Sequence, residues 1–494
     1  MRAMTSAGFD RVATLRIDAV ADQGMALGRL GGKVAFVPFA APGDLVEVEV
    51  VREKARYAET RLVRVLEPSP LRREPPCPRF GVCGGCQWQH LPYPDQLQAK
   101  VRSFQGFLAG RAGMGPSARF LPPLSSPREW GYRNRVGLKV RRVEGAVQLG
   151  YFARGSHRLV PVDRCPIAHP AIEAFLPPLG RFLGGFPPAR TGLPQVDLQI
   201  DGLEGLWAVF HVLAHPTARE IRSLRAFLEG EGLAGACLQT GRKHTLSPLL
   251  GETLGAMPFR VQADGRDLAL GVSPGGFVQA NGEVNQALVH VVASLAECYE
   301  ARPALDLYCG AGNFTLPLAL RAASVVGLEA YPPAARDAQA NAEANGLRNV
   351  RVLPQPAAEG LRRLAGEGFH PSFALLDPPR EGAADAIAGL GTLAPDRLLY
   401  VSCSPPTLAR DVKALSAWGY RVEWVRAADM FPQTAHLEAA VLLRREGSPG
   451  ARTTEPARIH HHFVGRSPGA QESACGPAGG SRPGRALDRT NACP

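Results

Sequence analysis

Residues 304–319 read ALDLYCGAGNFTLPLA, and this stretch decides the fold. The apolar run Ala304–Tyr308 predicts a strand, Gly310 and Gly312 a tight turn, and the apolar stretch after Asn313 a helix. Glycines at such a turn let backbone close on a ligand, and the helix that follows aims free amide donors back at it. Glu329 ends the next strand, in VVGLEAY, 17 residues beyond Gly312. A carboxylate there accepts both hydroxyls of a ribose. The third glycine of a dinucleotide fingerprint is missing, which speaks against NAD and for a ligand with no pyrophosphate. S-adenosylmethionine meets that description.

Outward from this turn, strand-like runs at Val325–Leu328, Phe373–Leu376 and Leu398–Val401 alternate with helical stretches. That alternation predicts βαβ units, so the fold class is α/β, with a Rossmann-like domain over 271–446. In the N-terminal region, Val46, Val48 and Val50 alternate with Glu47 and Glu49, and glycines mark the turns. Short strands of this kind predict a small OB-like β-barrel within 9–70. Residues 74–270 mix both patterns and are expected to form a mixed α/β central domain. Within them, Leu97, Val101, Phe104 and Leu108 predict a helix over about 95–112, packed on the catalytic domain. The tail, 447–494, is rich in Gly, Pro, Ser and Arg and is expected to be disordered. Its His460, His461 and His462 offer at most incidental metal binding.

The chain has 494 residues, 45% of them hydrophobic and 20% charged, so several globular domains are expected. Net charge is +11, of which the tail holds +3, and a basic body suits a polyanion. No apolar run is long enough to cross a bilayer, and the start lacks a secretory pattern. A cytoplasmic location without a membrane is therefore expected, and nothing calls for an obligate protein partner. Ten cysteines in such a chain favour metal binding or catalysis over disulfides.

Four further segments carry a resemblance. LLDPPREG (375–382), YVSCSPPTLARDV (400–412), DMFPQTAHLEAAVLL (429–443) and GVSPGGFVQANGEVN (271–285) resemble motifs of the RNA uracil-5-methyltransferases, in the same order. The N-terminal region resembles a TRAM domain, that family's RNA-binding barrel. The nearest resemblance is to the bacterial 23S rRNA members. It implies that Gln279, Tyr308, Asn313, Glu329 and Asp377 contact S-adenosylmethionine. Two positions depart from the family pattern. Pro356 stands where members place Asp or Asn, so an adenine-facing acceptor is missing. Ser404 replaces the commoner Asn of SCNPxT and is expected to keep only part of its hydrogen bonding.

The chemistry gives these motifs a reason. C5 of uracil is too weak a nucleophile to attack a methyl sulfonium unaided, and a thiolate adding at C6 makes C5 enolate-like. Cys403 follows an apolar strand and is the expected nucleophile, its thiolate favoured by Arg410 or Arg380. Glu438 is the expected base that removes the C5 proton afterwards. Asp377 is a second candidate for holding the uracil. The target is expected to be an unpaired uridine, with Tyr132, Arg133, Asn134 and Arg135 as candidates for holding RNA. Cys237 and Cys298 carry no motif and are expected to be structural, Cys309 beside the glycine turn is expected to pack in the core, and Cys475 and Cys493 in the tail are not expected to form a site.

Cys77, Cys83 and Cys86 give C-x5-C-x2-C, and Cys165 follows at a distance. Such a set suits a [4Fe–4S] cluster, with zinc as the competing reading. The four positions match the cluster ligands of the rRNA members that the chain resembles. Methyl transfer moves no net electrons, so the cluster is expected to be structural or RNA-orienting. Radical chemistry on S-adenosylmethionine normally uses C-x3-C-x2-C with one iron open, which four cysteines close. Two other functions remain in view: the same chemistry on tRNA, and RNA binding or ribosome assembly without catalysis.

Overall fold

The computed structural model describes residues 12–21, 24–111, 118–241, 245–251 and 254–448, all within one compact unit. The expectations for the tail from residue 449 on, including His460, His461, His462, Cys475 and Cys493, lie outside the described residues.

Strands β1 (Val12–Val20), β2 (Met25–Leu30), β3 (Lys33–Pro38), β4 (Leu45–Glu53) and β5 (Tyr57–Glu67) close into a barrel in the order β1-β2-β3-β5-β4. The period-2 pattern explains its inside and outside. Val46 and Val48 fill the bore with Leu15, Ile17 and Val37, while Glu47 and Glu49 face out and pair with Arg64 and Arg61 across the strand. Ala26, Ala35 and Ala40 add small side chains to the same narrow interior.

After an irregular cysteine-bearing segment come helix α1 (Tyr93–Arg111) and β6 (Arg119–Leu124). Phe104 and Leu108 of α1 enter the core of the C-terminal sheet, and β6 joins that sheet's edge beside Trp424–Ala428. Residues 93–124, which the sequence pattern groups with the central region, are thus built into the catalytic half.

The central sheet has the order β13-β12-β11-β10-β7-β8-β9. Its elements are β7 (Arg135–Val143), β8 (Ala146–Phe152), β9 (Leu159–Pro161), α2 (Pro170–Gly185), α3 (Pro187–Thr191), β10 (Gln195–Ile200), β11 (Leu206–Val212), α4 (Ala218–Gly230), β12 (Gly235–Thr240) and β13 (Leu246–Pro248). Helices α2 and α4 cover one face with Ile172, Leu176, Leu179, Leu224 and Leu228. Helix α4 starts with a capping box between Thr217 and Glu220. A hairpin, β14 (Met257–Ala263) and β15 (Arg266–Val272), then leads into the last region.

That region contains α5 (Gly282–Ser294), α6 (Ala296–Tyr299), β16 (Pro303–Leu307), α7 (Thr315–Ala319), β17 (Ser324–Leu328), α8 (Pro332–Ala344), β18 (Val350–Leu353), α9 (Ala357–Gly366), β19 (Phe373–Leu376), α10 (Ile387–Leu393), β20 (Arg397–Ser402), α11 (Pro405–Ser416), β21 (Tyr420–Ala428) and β22 (Glu438–Arg445). The sheet order is β18-β17-β16-β19-β20-β22-β21-β6. Strands β16 to β20 are parallel; β16, β17, β19 and β20 are buried on both faces, while the edge strand β18 exposes Arg351. The expected α/β class, with its Rossmann-like sheet, N-terminal barrel and mixed centre, is what the chain adopts. Among the described residues no helix is long and apolar enough to cross a membrane.

Candidate active site

The chain runs from β16 outward to β18, then returns to the other side of β16 with β19 and β20. The crevice at such a reversal, beyond the carboxyl ends of the strands, is where α/β sheets bind ligands. The glycine turn leaves β16 there. Tyr308, Gly310 and Gly312 have φ of 62°, 54° and 96°. At Gly312 the left-handed φ favours glycine, and a Cβ there would also press on the tip of the Leu316 side chain, 2.7 Å away. Glu329, at the tip of β17, accepts from Gly310 N at 3.0 Å and Tyr331 N at 2.7 Å.

Gln279, Tyr308, Asn313 and Asp377 line one cavity beside this turn, and Glu329 reaches it through Gly310. Gln279 Nε2 donates to Asp377 Oδ2 at 3.1 Å, and Tyr308 OH donates to Asp385 at 2.9 Å. Asn313 and Asn285 exchange amide bonds of 2.9 and 2.8 Å. Below the turn, Asp306 accepts from Thr315 OH at 2.6 Å, while its Oδ1 is buried without a partner. Burial pushes the Asp306 carboxyl up to about 8.

Cys403 and Glu438 are brought together by strand register. β20 and β22 are antiparallel, with Arg397 opposite Arg444 and Ser402 opposite Ala439. One step further places Cys403 opposite Glu438. Asp377 directly follows the neighbouring strand β19, so Cys403, Glu438 and Asp377 gather at one end of these three strands. Burial pushes the Cys403 thiol up to about 11, the charge of Glu438 adds to this, and Arg380 opposes it. Burial also raises both Glu438 and Asp377, with mutual repulsion between the two carboxylates adding to it at Glu438. The expected cationic help for the thiolate thus comes from Arg380 alone and does not prevail. Arg410 is turned away, bonded to Asp411 Oδ1 and Glu381 O at 2.8 Å each.

Cys403 opens onto a groove of about 470 Å³. Trp88, Lys100, Phe107, Arg154 and His436 are among the residues that wall it, so cysteine segment, helix α1, central region and catalytic domain all contribute. Helix α1 is locked in place by a buried ion pair, Lys100 to Asp429 at 2.7 Å, and by Gln96 bonded to Gln433. Burial, then Arg380, pushes His436 down to about 4, which leaves it neutral. Lys100 and His436 had no signal beyond their place in helical and motif segments.

The stretch Tyr132–Arg135 is not arranged as an RNA grip. Tyr132 is 2% exposed and donates to Pro432 O at 2.9 Å. Arg133 stacks near Phe431 and lines the cysteine cavity, and Arg135 bonds Gly276 O. Asn134 donates to Gln279 O at 2.9 Å and lines the cofactor cavity, where its Oδ1 is buried without a partner. These residues staple the central sheet to the catalytic domain because the segment bridges Ala168 and Asn281. Ser404 opens α11 with no side-chain cap bond, so none of the expected side-chain hydrogen bonding at that cap remains; its backbone N donates to Ser402 Oγ instead. Pro356 likewise opens α9 uncapped, and the neighbouring Gln355 has a buried Oε1 without a partner.

Cys77, Cys83, Cys86 and Cys165 line a second cavity of about 190 Å³. Gly85 N donates to Cys83 Sγ at 3.4 Å and Tyr151 OH to Cys165 Sγ at 3.8 Å. Burial pushes Cys86 up to about 12, and the three other thiols add to it by charge. Among the described residues, no three His, Cys, Asp or Glu are grouped as ligands of one metal ion. Cys237, Cys298 and Cys309 are buried in the core, as expected of structural thiols.

Known proteins of similar sequence and shape bear on this geometry. The family model described as tRNA (Uracil-5-)-methyltransferase matches residues 93–446, and that of the TRAM domain matches 11–63. The 23S rRNA (uracil(1939)-C(5))-methyltransferase RlmD of Alkalilimnicola ehrlichii is 36% identical over 445 residues, 87% of this chain and 96% of that protein. The protein of the same description from Yersinia enterocolitica is 36% identical over 88% of this chain and 95% of its own length. In shape, the Pyrococcus abyssi tRNA (uracil-54, C5)-methyltransferase, solved with S-adenosyl-L-homocysteine, matches with a TM-score of 0.64. It is 24% identical and covers 87% of this chain and 100% of its own, a likeness of fold. The class is thereby set as an S-adenosylmethionine-dependent methyltransferase that modifies RNA. Within that class, the chain belongs to the RNA uracil-5-methyltransferase family.

Proposed function

We propose that the chain methylates C5 of an unpaired uridine in 23S rRNA, by way of a covalent bond between Cys403 and C6. The register that sets Cys403 opposite Glu438 carries this reading. The cofactor cavity fits S-adenosylmethionine. Gly312 holds a left-handed backbone that favours glycine, Glu329 stands where ribose hydroxyls are recognised, and the unpaired Asn134 Oδ1 is a ready acceptor for an ammonium. Gln279, Tyr308, Asn313, Glu329 and Asp377 would hold the cofactor, which supplies an electrophilic methyl group when bound.

The protein's own groups do the rest. Cys403 Sγ, as thiolate, bonds to C6, and the C5–C6 π electrons move onto the C4 carbonyl oxygen. C5, now nucleophilic, would accept the methyl group that the bound cofactor supplies. Glu438 removes the C5 proton, the C–H pair re-forms C5–C6, and the C6–S bond breaks to release the thiolate. A carboxylate whose pKa is raised by burial is the stronger base for that proton.

Cys77, Cys83, Cys86 and Cys165 would hold a [4Fe–4S] cluster. A single zinc needs its four thiolates within roughly 4 Å of one another, given Zn–S of about 2.3 Å. The four cysteines line one cavity, and Gly85 N and Tyr151 OH donate to two of their sulfurs, which supports a shared thiolate site. Its place beside Arg133 and Arg164 suits a structural part, and the site of action on ribosomal RNA is the cytoplasm.

Cys403→Ala is expected to abolish methylation, and Glu438→Gln to accumulate protein bound covalently to RNA. Full activity in either variant would sink the reading. Mapping 5-methyluridine in 23S rRNA and tRNA of a deletion strain separates the substrates: loss in tRNA alone refutes the rRNA assignment. Anaerobically purified protein is expected to be brown with about four irons per chain; a colourless, active zinc protein refutes the cluster.

A further inference from the structure

The central sheet buries one face and leaves the other polar. Val136, Leu138 and Val140 of β7 enter the helix-covered core, so Arg135, Lys139 and Arg141 stand on the opposite face. On β8 the same alternation sends Leu149 and Tyr151 inward and Phe152 outward. Lys139 Nζ and the Arg141 guanidinium each lie 5.7 Å from the Phe152 ring centre, and His157 meets the ring edge-on at 5.3 Å. Lys139 bonds the Gln195 amide, and Arg141 bonds the carbonyls of Val140 and Pro194. Neither cation has a carboxylate partner among the described residues. Asp197, on the same face, is already engaged by His211 and Arg135.

Phe152 is also tied to both neighbouring sites. Its carbonyl accepts from Gly84, between Cys83 and Cys86, at 3.0 Å. Arg154, two residues on, lines the groove that holds Cys403. One surface therefore runs from the cysteine loop past Phe152 to the nucleophile.

We propose that this face binds a single-stranded stretch of the RNA substrate beside the target, with one base against Phe152 and phosphates on Lys139 and Arg141. The proposal rests on the RNA-modifying function above. Aromatic side chains flanked by cations bind unpaired nucleotides, whose base faces are free to stack, whereas a duplex hides those faces. Cations that lack carboxylate partners are the ones that exchange small counterions for phosphates.

The test uses the full chain, a fluorescent single-stranded oligouridine, and an rRNA fragment carrying the target loop. Phe152→Leu keeps apolar bulk and removes the ring. It is expected to weaken oligouridine binding about tenfold, and to raise KM for the fragment similarly while kcat holds. Lys139→Gln combined with Arg141→Gln is expected to flatten the slope of log affinity against log salt by about 1.4, from two phosphates at 0.7 each. Unchanged affinity and slope in both variants overturn the proposal. A fall in kcat without a change in KM also overturns it, because Phe152 would then act only through the cysteine loop. If the wild type binds oligouridine through Phe152 but methylates no RNA, the proposed reaction fails and this surface stands.

Discussion

Iodoacetamide reacts with thiolates, so its rate at Cys403 reads the ionised fraction of that thiol in the RNA-free protein. Burial and the neighbouring carboxylates hold the Cys403 thiol at about 11. A free thiol near 8.5 is roughly 3% ionised at pH 7, whereas one near 11 is about 0.01% ionised. That difference alone slows alkylation about 300-fold, and the greater nucleophilicity of the more basic thiolate returns roughly tenfold. Cys403 in the free enzyme is therefore expected to react about 30-fold more slowly than free cysteine at pH 7. Its rate is expected to climb tenfold per pH unit and to level off only near 11. Arg380→Gln removes the opposing cation and slows the reaction further, while Arg410→Gln, already bonded elsewhere, changes nothing. Glu438→Gln accelerates it at alkaline pH, where the native carboxylate is charged. Mass-spectrometric peptide mapping of timed samples gives each cysteine its own rate. Alkylation of Cys403 at the free-cysteine rate at pH 7, or an identical profile in Glu438→Gln, would refute the electrostatic account of this site.

Three further outcomes are expected. Lys100→Met leaves Asp429 charged and buried and is expected to cost about 3–5 kcal/mol of stability in urea titration; adding Asp429→Asn is expected to recover most of it. Asn134→Ala removes the unpaired acceptor from the cofactor cavity and is expected to raise KM for S-adenosylmethionine about tenfold. RNA affinity should hold, and the reverse pattern would restore this residue to RNA binding. Asp306 carries a pKa of about 8 in the folded chain, against about 3.9 unfolded. The folded state then keeps a proton that the unfolded state has lost, so this group's stability is full below about pH 4 and is lost as pH rises to about 8. The melting temperature of wild type relative to Asp306→Asn is expected to fall between pH 5 and pH 8, and parallel curves would show that Asp306 is not protonated.

The catalytic half was legible because its signals are local and redundant. Apolar runs of four or five residues bounded by turns are too short for helices and fit buried parallel strands, and β19 begins and ends at Phe373 and Leu376 as read. The glycine turn was legible for a steric reason that the structure repeats, since Gly312 meets Leu316 on one side and a left-handed φ on the other. Pairings across the chain were not legible. Nothing in GYRNRVGL says that Asn134 faces the cofactor cavity, because its partners, Gln279 and Ile200, lie 145 and 66 positions away. A basic stretch reads the same whether its charges meet phosphates or backbone carbonyls. Cys403 shows a second limit. The motif singles out the cysteine, but its ionisation depends on how many carboxylates share its pocket, and while Asp377 and Arg380 come from one segment, Glu438 comes from another. Two carboxyls and one guanidinium leave that pocket short of positive charge while RNA is absent. Burial therefore keeps the Cys403 thiol protonated at neutral pH in the RNA-free protein, a form that reacts slowly with electrophiles.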